Sequence, residues 1–308
     1  MLLDMALTEL LLAKDYTPIS AQRRAEVLHE FIAWAHEESG ITHIEDVTRG
    51  TIRRYLAWLR ERPNPRYGGK LSSETQHGRA SIIRMFLRYA VREGWLDEHV
   101  VLFFKMPKHA QKVIRVFTHA HYTHLMRATD DCDLPSLRLR DKALLSLLFD
   151  TGVRAMEACA LTRDSVFMAP NNSYIRVEGK GHKQREIGIG KQTTLALHRY
   201  VTRGRPDAQH DFVFLSRDGR PLTPNAIDRM LYRLRDVAGV DHFDGTRVSA
   251  HTLRHSFAVH YMQQGGDVYK LSRLLGHENI TTTERYLRAF RAEDARRGSK
   301  SVLDGLRA

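Results

Sequence analysis

The stretch from Ser249 to Tyr286, SAHTLRHSFAVHYMQQGGDVYKLSRLLGHENITTTERY, gathers the residue types that could do chemistry. It sets His251-x-x-Arg254 first, then Leu274-Leu275-Gly276-His277, then Tyr286. Two imidazoles, a guanidinium and a phenol in one short run suit attack on a phosphodiester. The cations would hold the anion and the hydroxyl would attack it, and neither step calls for a metal or any other cofactor. Taken singly, each residue has an ordinary use. A tyrosine is usually packed and hydrogen-bonded, and one His-x-x-Arg pair is commonly a surface pair. On a helix His251 and Arg254 share a face. Leu253, Phe257 and Tyr261 occupy the neighbouring apolar stripe, which leaves His251 and Arg254 on the solvent side.

The elements that must carry these groups can be read along the chain. With 308 residues the chain is long enough for two domains. A net charge of +12 favours a polyanionic partner, nucleic acid above all. Cys132 and Cys159 are its two cysteines, which excludes a disulfide framework and a Cys-rich zinc site. Cys159 lies in a mostly apolar helical pattern and reads as an inert buried thiol. His119, His121 and His124 cluster, and His251 and His255 form an H-x-x-x-H pair. No Cys or carboxylate completes the first group and the Glu of a zincin is absent from the second, so no metal is expected. Asp4 and Glu9 interrupt the N-terminal apolar run, which makes a poor signal peptide. No apolar run is long enough to cross a bilayer, and a cytoplasmic, nucleoid-associated location is expected.

Residues 1–100 read as a helical domain. Ser20 reads as an N-cap before Val27, Leu28, Phe31, Ile32 and Ala35 at helical spacing. Thr48 starts a helix that Pro63 stops. Ser73-Glu-Thr-Gln76 reads as a capping box before a helix that turns Ile82, Ile83, Phe86 and Ala90 inward. Arg84, Arg88 and Arg92 recur every fourth residue as a basic stripe on that helix, and Arg53 and Lys70 add to it. Such a stripe is expected to contact phosphates. Residues 101–117, with Lys105 and Lys108, read as a basic linker. The next domain, 118–290, opens at Thr118 as N-cap. Leu137 to Phe149 reads as a buried helix closed by Gly152. A helix is expected from about Arg154 to Leu161. Strands Tyr174–Val177 and Arg185–Ile189 form a hairpin whose basic tip, Gly179 to Lys183, carries Lys180 and Lys183. Phe212–Leu215 reads as a further strand, and Thr223-Pro224 opens a helix that Gly239 closes. Residues 291–308 form a basic, then apolar tail, expected to pack either on a neighbouring protomer or on its own domain.

These motifs resemble those of the tyrosine recombinase (phage integrase) family, most of all its Xer and transposon-integrase branches. Thr151-Gly-Val-Arg154-x-x-Glu157 matches the family's first box and Gly179-Lys180-Gly181 its lysine turn. His251, Arg254, His277 and Tyr286 match the second box in order and spacing. The resemblance implies a mainly α fold with a small antiparallel β-sheet in the C-terminal domain. A helical core-binding domain and a mixed α/β catalytic domain would form a clamp around double-stranded DNA. It further implies cleavage and rejoining through a 3′-phosphotyrosine on Tyr286, with Arg154, Lys180, His251, Arg254 and His277 as the other catalytic residues. Glu157 would orient Arg154. The family's partners imply a dimer on each site, a tetramer in synapsis, and accessory DNA-bending or directionality proteins. No arm-binding domain is expected ahead of the core-binding helices, which points to simple core sites. A type IB topoisomerase-like relaxation activity, or a non-catalytic DNA-binding regulator on the same scaffold, are the competing readings.

Overall fold

The computed structural model describes residues 1–64, 68–108, 115–179, 183–276 and 283. The chain divides into two compact units, Met1–Lys112 and Val113–Ala308.

The first unit is helical: α1 (Leu3–Ala13), α2 (Pro18–Ser39), α3 (Arg49–Glu61), α4 (Ser73–Arg92) and α5 (Glu98–Leu102). Helix α2 starts at Pro18 with Thr17 as N-cap, earlier than the Ser20 expected. Proline supplies the helical φ and has no N–H to leave unsatisfied in the first turn. Helix α3 starts as expected, with Thr48 and Thr51 capping each other's backbone. At α4 the cap is Ser72, not Ser73: its Oγ accepts the Thr75 N–H at 3.2 Å. Phe31, Tyr55 and Phe86 form the centre of the core with Leu28 and Leu59, and Phe31 meets Tyr55 edge-on at 5.0 Å. The half-buried Glu30 carboxylate pairs with both Arg62 and Arg79, tying α2 to the end of α3 and to α4.

Within the stretch expected as a linker, Val101 and Phe104 are buried in the first core. At the other end Phe117 is fully buried in the second core, and its N–H donates to Ser256 Oγ at 2.6 Å.

The second unit holds α6 (His119–Ala128), α7 (Pro135–Thr151), α8 (Ala155–Ala160), β1 (Val166–Phe167), β2 (Tyr174–Glu178) and β3 (Gln184–Gly188). Then follow α9 (Lys191–Arg203), α10 (Pro224–Ala238), α11 (Ala250–Gln263) and α12 (Val268–Leu275). The fold is mainly helical with a small antiparallel sheet in the order β1-β2-β3. Thr118 caps α6 as expected. Phe212–Leu215 does not form a strand; it makes isolated bridges from Phe212 to Thr162 and from Leu215 to Pro221. Helix α7 is the buried axis, with Ala143, Leu144, Leu145, Leu147 and Leu148 in the core. It also buries a charge: Asp141 pairs with Arg140 at 2.7 Å and with Arg233 of α10 at 2.5 Å. Burial nevertheless pushes the Asp141 carboxyl above the ordinary carboxylate range, outweighing the two arginines.

Gly152 ends α7 in the left-handed region at φ 61°, the backbone shape that glycine adopts without penalty. A Cβ here would stand 2.5 Å from the Phe257 ring. Gly152→Ala therefore combines backbone strain with overpacking, and it should destabilise the second unit by about 2–4 kcal/mol. Trp34, Trp58 and Trp95, the chain's tryptophans, all lie in the first unit. In urea, the fluorescence midpoint should stay in place while the circular-dichroism transition of the second unit moves to lower concentration.

Candidate active site

Three short elements converge on the C-terminus of α12. Asp267 opens that helix by accepting the Lys270 N–H at 2.8 Å, and Gly276 closes it at φ 64°. The last carbonyls of a helix have no intrahelical donor and carry the negative end of its dipole. Here three consecutive carbonyls each receive one arginine. Arg185 Nε donates to Leu274 O at 2.7 Å, Arg254 Nη2 to Leu275 O at 2.6 Å, and Arg154 Nη2 to Gly276 O at 3.4 Å.

A second acceptor joins two of them. Glu157 is 7% exposed. Its Oε1 accepts from Arg154 Nη1 at 2.9 Å and from Arg185 Nη1 at 3.1 Å. Its Oε2 accepts the Arg154 backbone N–H at 2.9 Å and Arg185 Nη2 at 2.8 Å. Glu157 thus caps α8 while orienting Arg154, which deepens the supporting role expected for it. Burial pushes its carboxyl up, but the Arg185 and Arg154 hydrogen bonds outweigh that and hold it below the ordinary range.

Arg254 is 4% exposed and lies on the buried side of α11, not the solvent side expected from the apolar pattern. The reason is its pair of acceptors: beside Leu275 O, its Nη1 donates to Gly152 O at 2.8 Å. Both carbonyls belong to helix ends closed by left-handed glycines, so one guanidinium caps α7 and α12 together. One turn earlier on α11, His251 is exposed. Its Nε2 lies 2.7 Å from Nε2 of the buried His255. A contact this short needs one donor and one acceptor, so the two rings share a single proton along it.

The structure therefore brings Arg154 and Arg254 to one helix end, with His251 a turn away. Lys180, His277 and Tyr286 lie outside the described residues, as does the 291–308 tail. Three guanidiniums against one carboxylate leave the cluster cationic, with Arg154 still 42% exposed on its side chain. Such a cluster of fixed guanidiniums is chemically able to hold an oxyanion. Arg185 was read only as a strand residue. A signal for it exists: it stands opposite Val177 and alternates in phase with the buried Ile187, so a charge faces inward.

The expected DNA-contact residues divide. Arg53, Arg88, Lys105, Lys108 and Lys183 are exposed. Arg84 is half-buried, which breaks the uniform stripe expected on α4. Arg92 holds Glu93 at 3.0 Å and Lys70 holds Glu61 at 2.5 Å. His121 meets the Thr118 N–H through Nδ1 at 3.3 Å, and His124 stacks on His242 at 4.1 Å. Cys159 is buried, and burial pushes its thiol up to about 12.

Residues 115–293 match the phage integrase family model, and residues 11–106 match the phage integrase SAM-like domain. The chain belongs to the phage integrase family of tyrosine recombinases. Tyrosine recombinase XerD of Halalkalibacterium halodurans is 32% identical over 84% of this chain and 83% of its own length. Tyrosine recombinase XerC 2 of Ralstonia nicotianae is 31% identical over 90% of this chain and 79% of its own. In fold, the chain matches the Tn1549 transposon integrase in complex with a circular intermediate DNA. That match has a TM-score of 0.74 and 17% identity over 96% of this chain and 99% of that one. The XerH recombinase bound to its difH substrate gives a TM-score of 0.67 at 20% identity, over 91% of this chain and 79% of that one. Among the described residues no helix is long and apolar enough to cross a membrane.

Glu157→Gln should cost about 3–5 kcal/mol at pH 7, because it leaves Arg185 buried without its counter-charge. The folded carboxyl titrates below its ordinary value of 4.5. Its stabilising contribution is therefore complete above that value and is lost as pH falls through the lower, folded one. Denaturant melts of both proteins between pH 7 and pH 3 should show the gap narrowing only below about pH 4.5. A gap that is constant with pH would contradict the assignment.

Proposed function

We propose that this protein cuts and rejoins DNA at specific sites through a transient 3′-phosphotyrosine. The observation that carries the proposal is the pair of arginines, Arg154 and Arg254, fixed at the C-terminus of α12. Tyr286 is the nucleophile. Its oxygen bonds to the scissile phosphorus as the bond from phosphorus to the 5′-oxygen breaks. His251 takes the phenolic proton and Lys180 supplies one to the departing 5′-hydroxyl. Arg154, Arg254 and His277 hold the non-bridging oxygens, on which charge grows as the phosphorane forms. Attack of a 5′-hydroxyl from another strand on the phosphotyrosine reverses these steps and frees Tyr286. One phosphodiester replaces another throughout, so the exchange needs no ATP.

The first unit acts as the core-binding domain and the second as the catalytic domain. Arg53, Lys70, Arg84, Arg88, Arg92, Lys105, Lys108 and Lys183 contact the DNA backbone. Two protomers occupy a site and four assemble in synapsis, with the 291–308 tail docking on a neighbour.

A duplex carrying a site selected by the protein from a random-sequence pool, nicked so that cleavage is irreversible, tests the chemistry. Wild-type protein should form a covalent adduct and Tyr286→Phe should form none while still binding. Arg154→Ala should cleave about 10²–10³-fold more slowly. An adduct without exchange between two sites would indicate a relaxing enzyme instead, and binding without any adduct a regulator. The backbone contacts are tested separately by salt. Removing one phosphate contact, as in Arg88→Ala, should flatten the slope of log affinity against log salt by about 0.9.

A further inference from the structure

Arg185 is not one of the six residues given a chemical role, yet it touches the elements that carry three of them. Its side chain is 13% exposed. It binds both oxygens of Glu157, which orients Arg154, and it binds the Leu274 carbonyl. Its guanidinium also lies beside two glycines. A Cβ on Gly179 would stand 3.5 Å from Arg185 Nη1, and a Cβ on Gly276 only 2.9 Å from it. In the chain, Gly179 is followed by Lys180 and Gly276 by His277. The Gly179 N–H donates to Lys183 O at 2.9 Å, closing the β2–β3 hairpin on either side of 180–182.

From this we infer that Arg185 is a positioning residue for the cleavage step. It ties β3, α8 and the end of α12 together, the elements that lead to Lys180, adjoin Arg154 and lead to His277. A lysine could not replace it. Arg185 spreads a planar set of donors over a carboxylate and a carbonyl on two elements, and an ammonium is a single point of charge. A purely structural ion pair would look similar at Glu157. Its place beside the two glycines, each one residue from a reacting group, is what separates the two roles.

The inference rests on the roles proposed for Lys180 and His277, and the experiment keeps the two apart. Single-turnover covalent cleavage is measured on the selected, nicked duplex for wild type, Arg185→Ala and Arg185→Lys. Each protein is given an ordinary 5′-oxygen or a bridging 5′-sulfur at the scissile linkage. A thiolate departs without a proton, so the sulfur substrate does not need Lys180. With site binding within about threefold of wild type, Arg185→Ala should cleave the oxygen linkage about 100-fold more slowly, as expected for a small misplacement of reacting groups. Arg185→Lys should fall between the two. The sulfur linkage should recover about tenfold of the loss in Arg185→Ala, the share that belongs to the general acid. Equal losses on both linkages, an unchanged rate, or loss of folding or site binding in both variants overturns the inference. A wild-type protein that forms no adduct with either linkage refutes the phosphotyrosine mechanism itself.

Discussion

The site depends on how the C-terminus of one short helix is satisfied. The carbonyls of Leu274, Leu275 and Gly276 need donors, and the chain brings them guanidiniums from three distant segments. This solves two problems at once. The helix end is capped by charges that its dipole favours, and the arginines are held by acceptors that leave the cluster cationic. A carboxylate at each arginine would have bound more strongly and neutralised the pocket. Carbonyls position the cations without cancelling them. Glu157 is the exception, and being shared by Arg154 and Arg185 it cancels only one charge of the three.

Glycines make the geometry accessible. Gly152 and Gly276 end α7 and α12 in the left-handed conformation, and each turns a carbonyl toward an arginine. At both positions a methyl group would collide with a neighbouring side chain. The Thr151-Gly-Val-Arg154 and Leu-Leu-Gly motifs therefore work as helix stops whose carbonyls receive the arginines.

Much of this was legible in the sequence wherever local chemistry decides structure. Thr48 and Thr118 could be read as caps, and Gly152 as a stop, because each acts on residues within one turn. The hairpin strands were legible from alternation. The reading failed where partners lie far apart in the chain. The buried helix expected over Leu137 to Phe149 also holds Asp141, whose partner Arg233 lies 92 positions away. Arg254 looked solvent-facing because α11 shows one clear apolar stripe. The helix is in fact enclosed on several sides, with Leu253, Arg254, His255 and Ser256 all buried. Arg185 was overlooked for the same reason: its acceptors, Glu157 and Leu274, come from 28 residues before it and 89 after. Ser72 and Ser73 compete for one cap, and sequence alone does not rank two adjacent serines.

A cationic cluster assembled in this way has a consequence for catalysis. Repulsion among three guanidiniums opposes folding, and carbonyl dipoles offset it only in part. A phosphodiester would remove that repulsion, and a phosphorane, which carries more negative charge, would remove more. Arg254 is buried and held by two carbonyls, so its guanidinium is fixed in place before any anion arrives. On the proposed mechanism the same field would act on cleavage and on rejoining, since both pass through the same pentacoordinate geometry, and it would favour neither product.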